Sequence, residues 1–302
     1  MIITDASLRA IDKGFQKGFL GAIGMVNREA ERLAMRTTSS QAAEVYADIA
    51  FFPTMRKLVG EAIVKNLKEL SHTVKNEEYE ATVRVRQADI ENDALGIYSP
   101  KIGQLGQTGA KLPSKLIVDL LLNGFANLDY TGTAFFAANK KHFPGGKKTF
   151  TNLGTKKLSA ANYETARAAI RSVKDEEGEP LELGDKLALV VSPNYEATAR
   201  KIVVAETVNG GEANVNKGTA ELIVLPRLAA SEHNWFLLDI GQPISALILQ
   251  ENRALELLTT ANGQTTEELL RTHAYLWQAY WRGNAAYGLP QLAWGSTGAD
   301  AA

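Results

Sequence analysis

The clearest pattern in this chain lies between Asn76 and Pro100. Tyr79, Ala81, Val83 and Val85 alternate strictly with Glu80, Thr82, Arg84 and Arg86, the period-two signature of a strand with one apolar and one charged face. Asp89, Glu91 and Asp93 follow ahead of Gly96, and a helical period then takes over. A charged strand face is ordinarily solvated, and acids before a helix are ordinary partners for its positive end. The sharper alternative is a hairpin that projects from its own domain to lie on a neighbouring subunit.

The same reading extends in both directions. Leu8, Ile11, Phe15 and Phe19 stand at helical spacing within Thr4–Thr37, but Gly14, Gly18, Gly21 and Gly24 weaken that segment by about 1 kcal/mol each relative to Ala. An arm that takes its shape against a partner fits it better than an autonomous helix. From Ser39 to Glu91 the apolar content is thin, with Pro53 beside Tyr46, Phe51 and Phe52, and predicts an extended β-hairpin arm. Ile102, Leu105, Gly109, Leu112, Leu116 and Leu120 then keep one helical phase across Pro113, which favours one long kinked helix over two unrelated ones. Gly103, Gly106 and Gly109 would admit another backbone, and Asn123-Gly124 is a plausible stop.

Beyond a loop-like stretch from Asp129 to Lys157, Ser159 opens a helix, with Leu158 and Tyr163 placed as a hydrophobic staple. Lys186–Val191 and Leu222–Leu225 predict short strands, with a helix from Ser192-Pro193 to about Ala205 between them. Trp235–Leu238, Ile244–Gln250, Leu255–Leu258 and Ala274–Tyr287 predict further strands, the last with Tyr275, Trp277, Ala279 and Trp281 on one face. The tail GSTGADAA is small and polar.

Composition narrows the function more than it names it. The 302 residues are 45% hydrophobic and 22% charged, ordinary globular material, and 33 basic residues balance 34 acidic ones. No global field draws this chain to nucleic acid or an anionic membrane, and no apolar run is long enough for a membrane span. The absence of cysteine removes disulfides, thiol nucleophiles and thiolate metal sites. Motifs that invite chemistry fail on spacing. Pro144-Gly145-Gly146-Lys147-Lys148-Thr149 lacks the spacing of a phosphate loop. Asp89-Ile90-Glu91-Asn92-Asp93 has Ala94 where a calcium loop needs glycine. His72, His142, His233 and His273 are scattered. No catalytic, cofactor-binding or metal-binding residue is assigned, and no cofactor is expected.

Set in order, several segments carry a resemblance. They are Phe52-Pro53-x-Met55-Arg56 with Gly60, and Tyr79-Glu80-x-Thr82-Val83 running into Asp89-Ile90-Glu91-x-Asp93-x-x-Gly96-Ile97-Tyr98-x-Pro100. Leu122-x-x-Gly124-Phe125 and Trp235-Phe236-Leu237-Leu238-Asp239 with Pro243-Ile244 and Leu249-Gln250-x-x-Arg253 follow, then Ala286-Tyr287-Gly288-Leu289-x-Gln291-Leu292-Ala293 and Ser296-Thr297-Gly298. This collinear set resembles the Mu-like phage major head subunit, gene product T, a family with the Hong Kong 97-type capsid fold.

The resemblance implies an α+β subunit with an N-terminal arm over residues 1–38 and a hairpin called the E-loop over 39–93. A peripheral domain over 94–184 would hold a spine helix at 99–123. An axial domain would span 185–239, with a return to the peripheral domain over 240–302. It implies a structural, non-enzymatic protein that self-assembles through pentamers and hexamers into an icosahedral shell around double-stranded DNA held by confinement alone. A separate scaffolding protein, a portal and decoration proteins would be its partners, with no membrane, assembly in the bacterial cytoplasm and residence in the virion. A chain of this length leaves little room for a fused scaffold, so little trimming is expected. Glu80, Arg84 and Arg86 are the candidates for intersubunit ion pairs. An encapsulin-like nanocompartment shares the implied fold, and a cytoplasmic α/β enzyme is the remaining alternative.

Overall fold

The computed structural model describes residues 3–47, 71–92, 94–208, 210–231, 233–261 and 267–299. In chain order, α1 (Asp5–Ile23) leads to β1 (Ala34–Thr38), β2 (Ala43–Ala47), β3 (Ser71–Lys75), β4 (Glu77–Arg86) and α2 (Gln87–Glu91). The pair α3 (Tyr98–Ala110) and α4 (Leu112–Asn123) precedes the short β5 (Lys140–Lys141), β6 (Thr149–Phe150) and β7 (Leu153–Gly154). Next come α5 (Ala160–Arg171), β8 (Leu187–Val191), α6 (Glu196–Val203), β9 (Thr207–Val208), β10 (Glu212–Ala213), β11 (Glu221–Val224) and β12 (Trp235–Asp239). The chain closes with β13 (Leu247–Thr259), α7 (Glu267–Thr272), β14 (Ala274–Tyr287) and β15 (Ala293–Ser296).

Two larger sheets organise these elements. One has the order β1-β13-β14-β4, the other β11-β8-β12-β15-β7. In the second, β8 and β12 are buried at every position, as expected of strands covered on both faces. Its core takes in Ile117, Val118 and Leu121 of α4 and Tyr163, Ala166 and Ile170 of α5. The first sheet has its own core, built from Leu8, Ile11, Phe15 and Phe19 of α1, Ile102 and Leu105 of α3, and Val85, Leu257, Tyr275, Trp277 and Ala279. Strand β14 spans both cores, with Trp277 in one and Trp281 in the other.

The long helix is interrupted where the cores meet. Pro113 has no N–H, so the bond that Gly109 would accept from it is missing, and the helix resets at Lys111. Lys111 still donates to Gln107 and accepts from Lys115, both at 3.0 Å, so the two halves remain nearly continuous. The buried stripe does not keep the phase of Leu112, Leu116 and Leu120, which are half-buried. It runs through Ile102, Gly106, Ala110, Pro113, Ile117 and Leu121. The shift by one position gives α4 a different face to bury, toward the second core.

The N-terminal segment is no free arm. Its four apolar residues are all buried against the same chain, because Gly106 lets α1 come close. A Cβ there would meet the Phe19 carbonyl oxygen at 2.7 Å. Asp12 accepts from the Trp277 indole at 3.1 Å, and Phe15 meets that ring edge-on at 5.0 Å. Gly14, Gly18 and Gly21 face open space. The segment then ends in a strand, β1, parallel to β13.

The alternating strand also has a home in its own subunit. All ten residues of β4 pair antiparallel with β14, from Glu77 opposite Gly283 to Arg86 opposite Ala274, because the apolar side carrying Val85 is needed to close the core under α3. The projecting part of the 39–93 segment is the pair β2–β3, with Ala47 opposite Ser71 at its outer end. Phe51, Phe52, Pro53, Met55, Arg56 and Gly60 lie outside the described residues, as does Asp93. Two strands expected separately, at 244–250 and 255–258, are one strand, β13, with irregular register between Glu251 and Glu256. The sheet of the 185–239 unit is completed from outside that range, by β15 and β7.

Candidate assembly surface

The residues singled out from sequence lie on one face of β4. Glu78, Glu80, Thr82, Arg84 and Arg86 are exposed, whereas Tyr79, Ala81 and Val83 are half-buried and Val85 is fully covered. Glu80 accepts from the Thr82 hydroxyl at 2.7 Å and from the Gln278 amide at 3.0 Å, and those bonds hold its carboxyl below the usual range. Arg84 donates to the Thr272 carbonyl at 2.8 Å. Glu78 lies 3.8 Å from the Arg282 guanidinium. The strand is the edge of its sheet, and among the described residues nothing hydrogen-bonds to its outer backbone.

Behind this surface the hairpin is rooted in a polar hub. Gln250, fully buried on β13, donates to Asn76 at 2.7 Å and to the Val74 carbonyl at 3.2 Å, and accepts from the Tyr46 hydroxyl at 2.8 Å. Asn76 donates in turn to Ser39 and the Gln41 carbonyl, and Asn252 reaches the Ser39 carbonyl at 3.0 Å. Buried amides cost stability unless satisfied, so this hub fixes where the hairpin leaves the body. Residue-by-residue reading gave Gln250 no role. The available signal was a single amide at the end of the apolar run Leu247-Ile248-Leu249.

A second buried polar feature went unnoticed within the loop-like 129–157 stretch. Lys140 and Asp129 have no exposed side-chain surface, and Nζ sits 2.9 Å from Oδ2. Lys140 also donates to Thr131, Thr133 and the Ala134 carbonyl, while Asp129 accepts from the Thr131 amide and hydroxyl. Burial lowers the lysine pKa, and the bond to Asp129 and its charge oppose that. Nothing in the spacing of Asp129 and Lys140 marks them as a pair.

Motifs set aside on spacing prove to have structural occupants. The Pro144–Thr149 turn points the Lys147 and Lys148 amides at a carboxylate oxygen of Glu176, at 3.0 and 3.2 Å, so a side chain of the same chain fills the position an anion would take. Asp89 accepts from the Tyr98 hydroxyl at the start of α3, raising the tyrosine pKa through that bond. His142 is buried beside Phe150 and hydrogen-bonded to Gln291, and burial lowers its pKa. His233 and His273 are exposed. Among the described residues no His, Asp and Glu cluster could hold a metal ion, and no helix is long and apolar enough to cross a membrane.

A long helix broken at Pro113, a hairpin rooted on a sheet of long strands, and a second sheet with its own helices define a subunit of the Hong Kong 97-type capsid fold. In fold the chain resembles a subunit of the procapsid of bacteriophage JBD30, with a TM-score of 0.60 and 22% identity over 97% of this chain and 76% of that one. The chain belongs to the family described as Mu-like prophage major head subunit gpT, which matches residues 8–157, 150–228 and 227–300. It is 30% identical over 158 residues to the major capsid protein of Escherichia phage Mu, 52% of each chain. It is 25% identical over 134 residues to the Mu-like prophage FluMu major head subunit of Haemophilus influenzae, 44% of each. The matched region spans about half the length of these two relatives.

Proposed function

We propose that this protein is the building block of an icosahedral phage head. It associates through pentamers and hexamers around double-stranded DNA, in the host bacterial cytoplasm, with a separate scaffolding protein, a portal and decoration proteins as partners. The observation that carries this reading is the ten-residue charged edge of β4, which among the described residues has no strand partner on its outer side, beside a hairpin rooted in buried hydrogen bonds, in a chain of the head-subunit family. An exposed edge that long is a liability in a monomer and an asset in an assembly. Repeated contacts of modest strength around closed rings accumulate affinity. The role is structural, with no reaction assigned, and the near-neutral net charge suits a container that must release its DNA.

Glu80, Arg84 and Arg86 belong in this reading to the contacts between subunits. Exposed ion pairs contribute only about 0–1 kcal/mol each, so their main effect is on register. The test is electron microscopy of the protein expressed with its scaffold. Shells of uniform size are expected, and Arg84→Glu with Arg86→Glu is expected to lower particle yield. Small oligomers only, from the unaltered chain, would overturn the reading.

A further inference from the structure

The exposed face of β4 reads Glu78, Glu80, Thr82, Arg84, Arg86, acidic on one side of Thr82 and basic on the other. This order is complementary to itself when reversed. In an antiparallel pairing of two copies centred on Thr82, Glu78 faces Arg86 and Glu80 faces Arg84, twice over. A parallel in-register pairing sets acid against acid and base against base. Bulges and prolines are among the devices that keep edge strands from pairing with one another, and β4 has neither: its pairing with β14 is continuous over all ten residues, and its charges are of mixed sign in an order that attracts a reversed copy. Tyr79, Ala81 and Val83, half-buried beside the edge, have apolar surface left to cover.

We infer that β4 is a two-fold contact in which the same strand of a second copy adds antiparallel to the sheet, joining two four-stranded sheets across Thr82. The partner is another copy of this chain, and the inference rests on the proposed assembly. Such an isologous contact closes on itself, so it links neighbours in pairs and leaves ring formation to other surfaces.

Two experiments on assembled particles decide the matter. The chain contains no cysteine, so Thr82→Cys introduces the sole thiol, and an intermolecular disulfide must join residue 82 of two copies. Residues opposite each other across an antiparallel pair have Cα atoms about 4.5–5.5 Å apart, inside the disulfide range of about 4.4–6.8 Å. Mild oxidation of Thr82→Cys particles is expected to convert most of the chain to dimer on a non-reducing gel, with a Gln278→Cys control on the adjacent strand remaining monomeric. Particles that form normally and stay monomeric under oxidation overturn the inference while leaving the proposed function intact. Absence of particles from the unaltered chain fails the proposed function instead.

Charge exchange tests the register. Glu78→Arg with Glu80→Arg, and separately Arg84→Glu with Arg86→Glu, each set like charges across the two-fold and are expected to cut particle yield at least several-fold. The combined four-residue exchange restores complementarity to a copy of itself and is expected to recover yield. A combined variant as defective as the two doubles would show that these charges face some other surface.

Discussion

The two large sheets of this subunit are built on opposite plans. The β11-β8-β12-β15-β7 sheet is covered on both faces, and its central strands carry uninterrupted apolar runs such as Leu187–Val191. In the β1-β13-β14-β4 sheet, β14 alternates buried and half-buried positions and β4 alternates half-buried and exposed ones, and among the described residues the outer edge of β4 is unpaired. The first plan maximises burial and satisfies the subunit internally. The second stabilises less per residue and leaves more polar surface uncovered. Where a sheet stops burying itself is a guide to where a subunit expects company.

Removing the Lys140 charge should have the largest effect. Lys140→Ala leaves Asp129 buried without its partner, and a loss of about 3–5 kcal/mol is expected in denaturant unfolding. A variant that unfolds at the same denaturant concentration as the parent would break the claim that this region is self-sufficient and tightly coupled. Next is Gly106→Leu, which drives a side chain into the Phe19 backbone and is expected to cost about 1–3 kcal/mol or more. Limited proteolysis should then cut between α1 and β1, because the N-terminal helix has lost its seat. Gln250→Leu strands the partners of the hub, at about 1–3 kcal/mol, with faster amide exchange expected at Tyr46, Val74 and Asn76 ahead of the buried strands.

Acid should act more gently. Burial lowers the pKa of His142 and of His72, so the unfolded chain takes up these protons at a higher pH than the folded one. Stability is therefore full above an ordinary histidine pKa of about 6.5 and declines as pH falls below it. The melting temperature should drop between neutral pH and about pH 5, and His142→Phe should flatten part of that slope. The smallest effect belongs to the open sheet. Arg84→Glu with Arg86→Glu should leave the unfolding midpoint within about 0.5 kcal/mol of the parent, since both side chains are exposed. A larger shift would mean that the charged edge holds the subunit together.

Much of this architecture was legible because period and burial coincide. The strands at 187–191, 235–239 and 274–287 follow from apolar runs or strict alternation, and Ser159 caps α5 through the Asn162 amide as its position implied. Destinations were harder than elements. The period of Leu8, Ile11, Phe15 and Phe19 announces a buried face but does not name its partner, and α1 packs on its own chain through the gap left by Gly106. The charged face of β4 was visible in the sequence, whereas its pairing with β14 depends on residues about two hundred positions away. Gln250 and the Lys140–Asp129 pair were hidden for a related reason. Buried polar groups are recognisable by the partners that satisfy them, and those partners are distant in sequence or unremarkable in type.

The break in the long helix has a consequence for geometry on a larger scale. Pro113 interrupts the hydrogen-bond ladder where the helix passes from one core to the other, so the least stiff point of that rod lies between the two cores. Because β14 runs through both cores, any change of angle at Pro113 is shared by that strand. A closed shell made from one sequence has to place identical chains at sites of unequal curvature, so in the proposed assembly the broken helix and the shared strand would be the elements that take up the difference together.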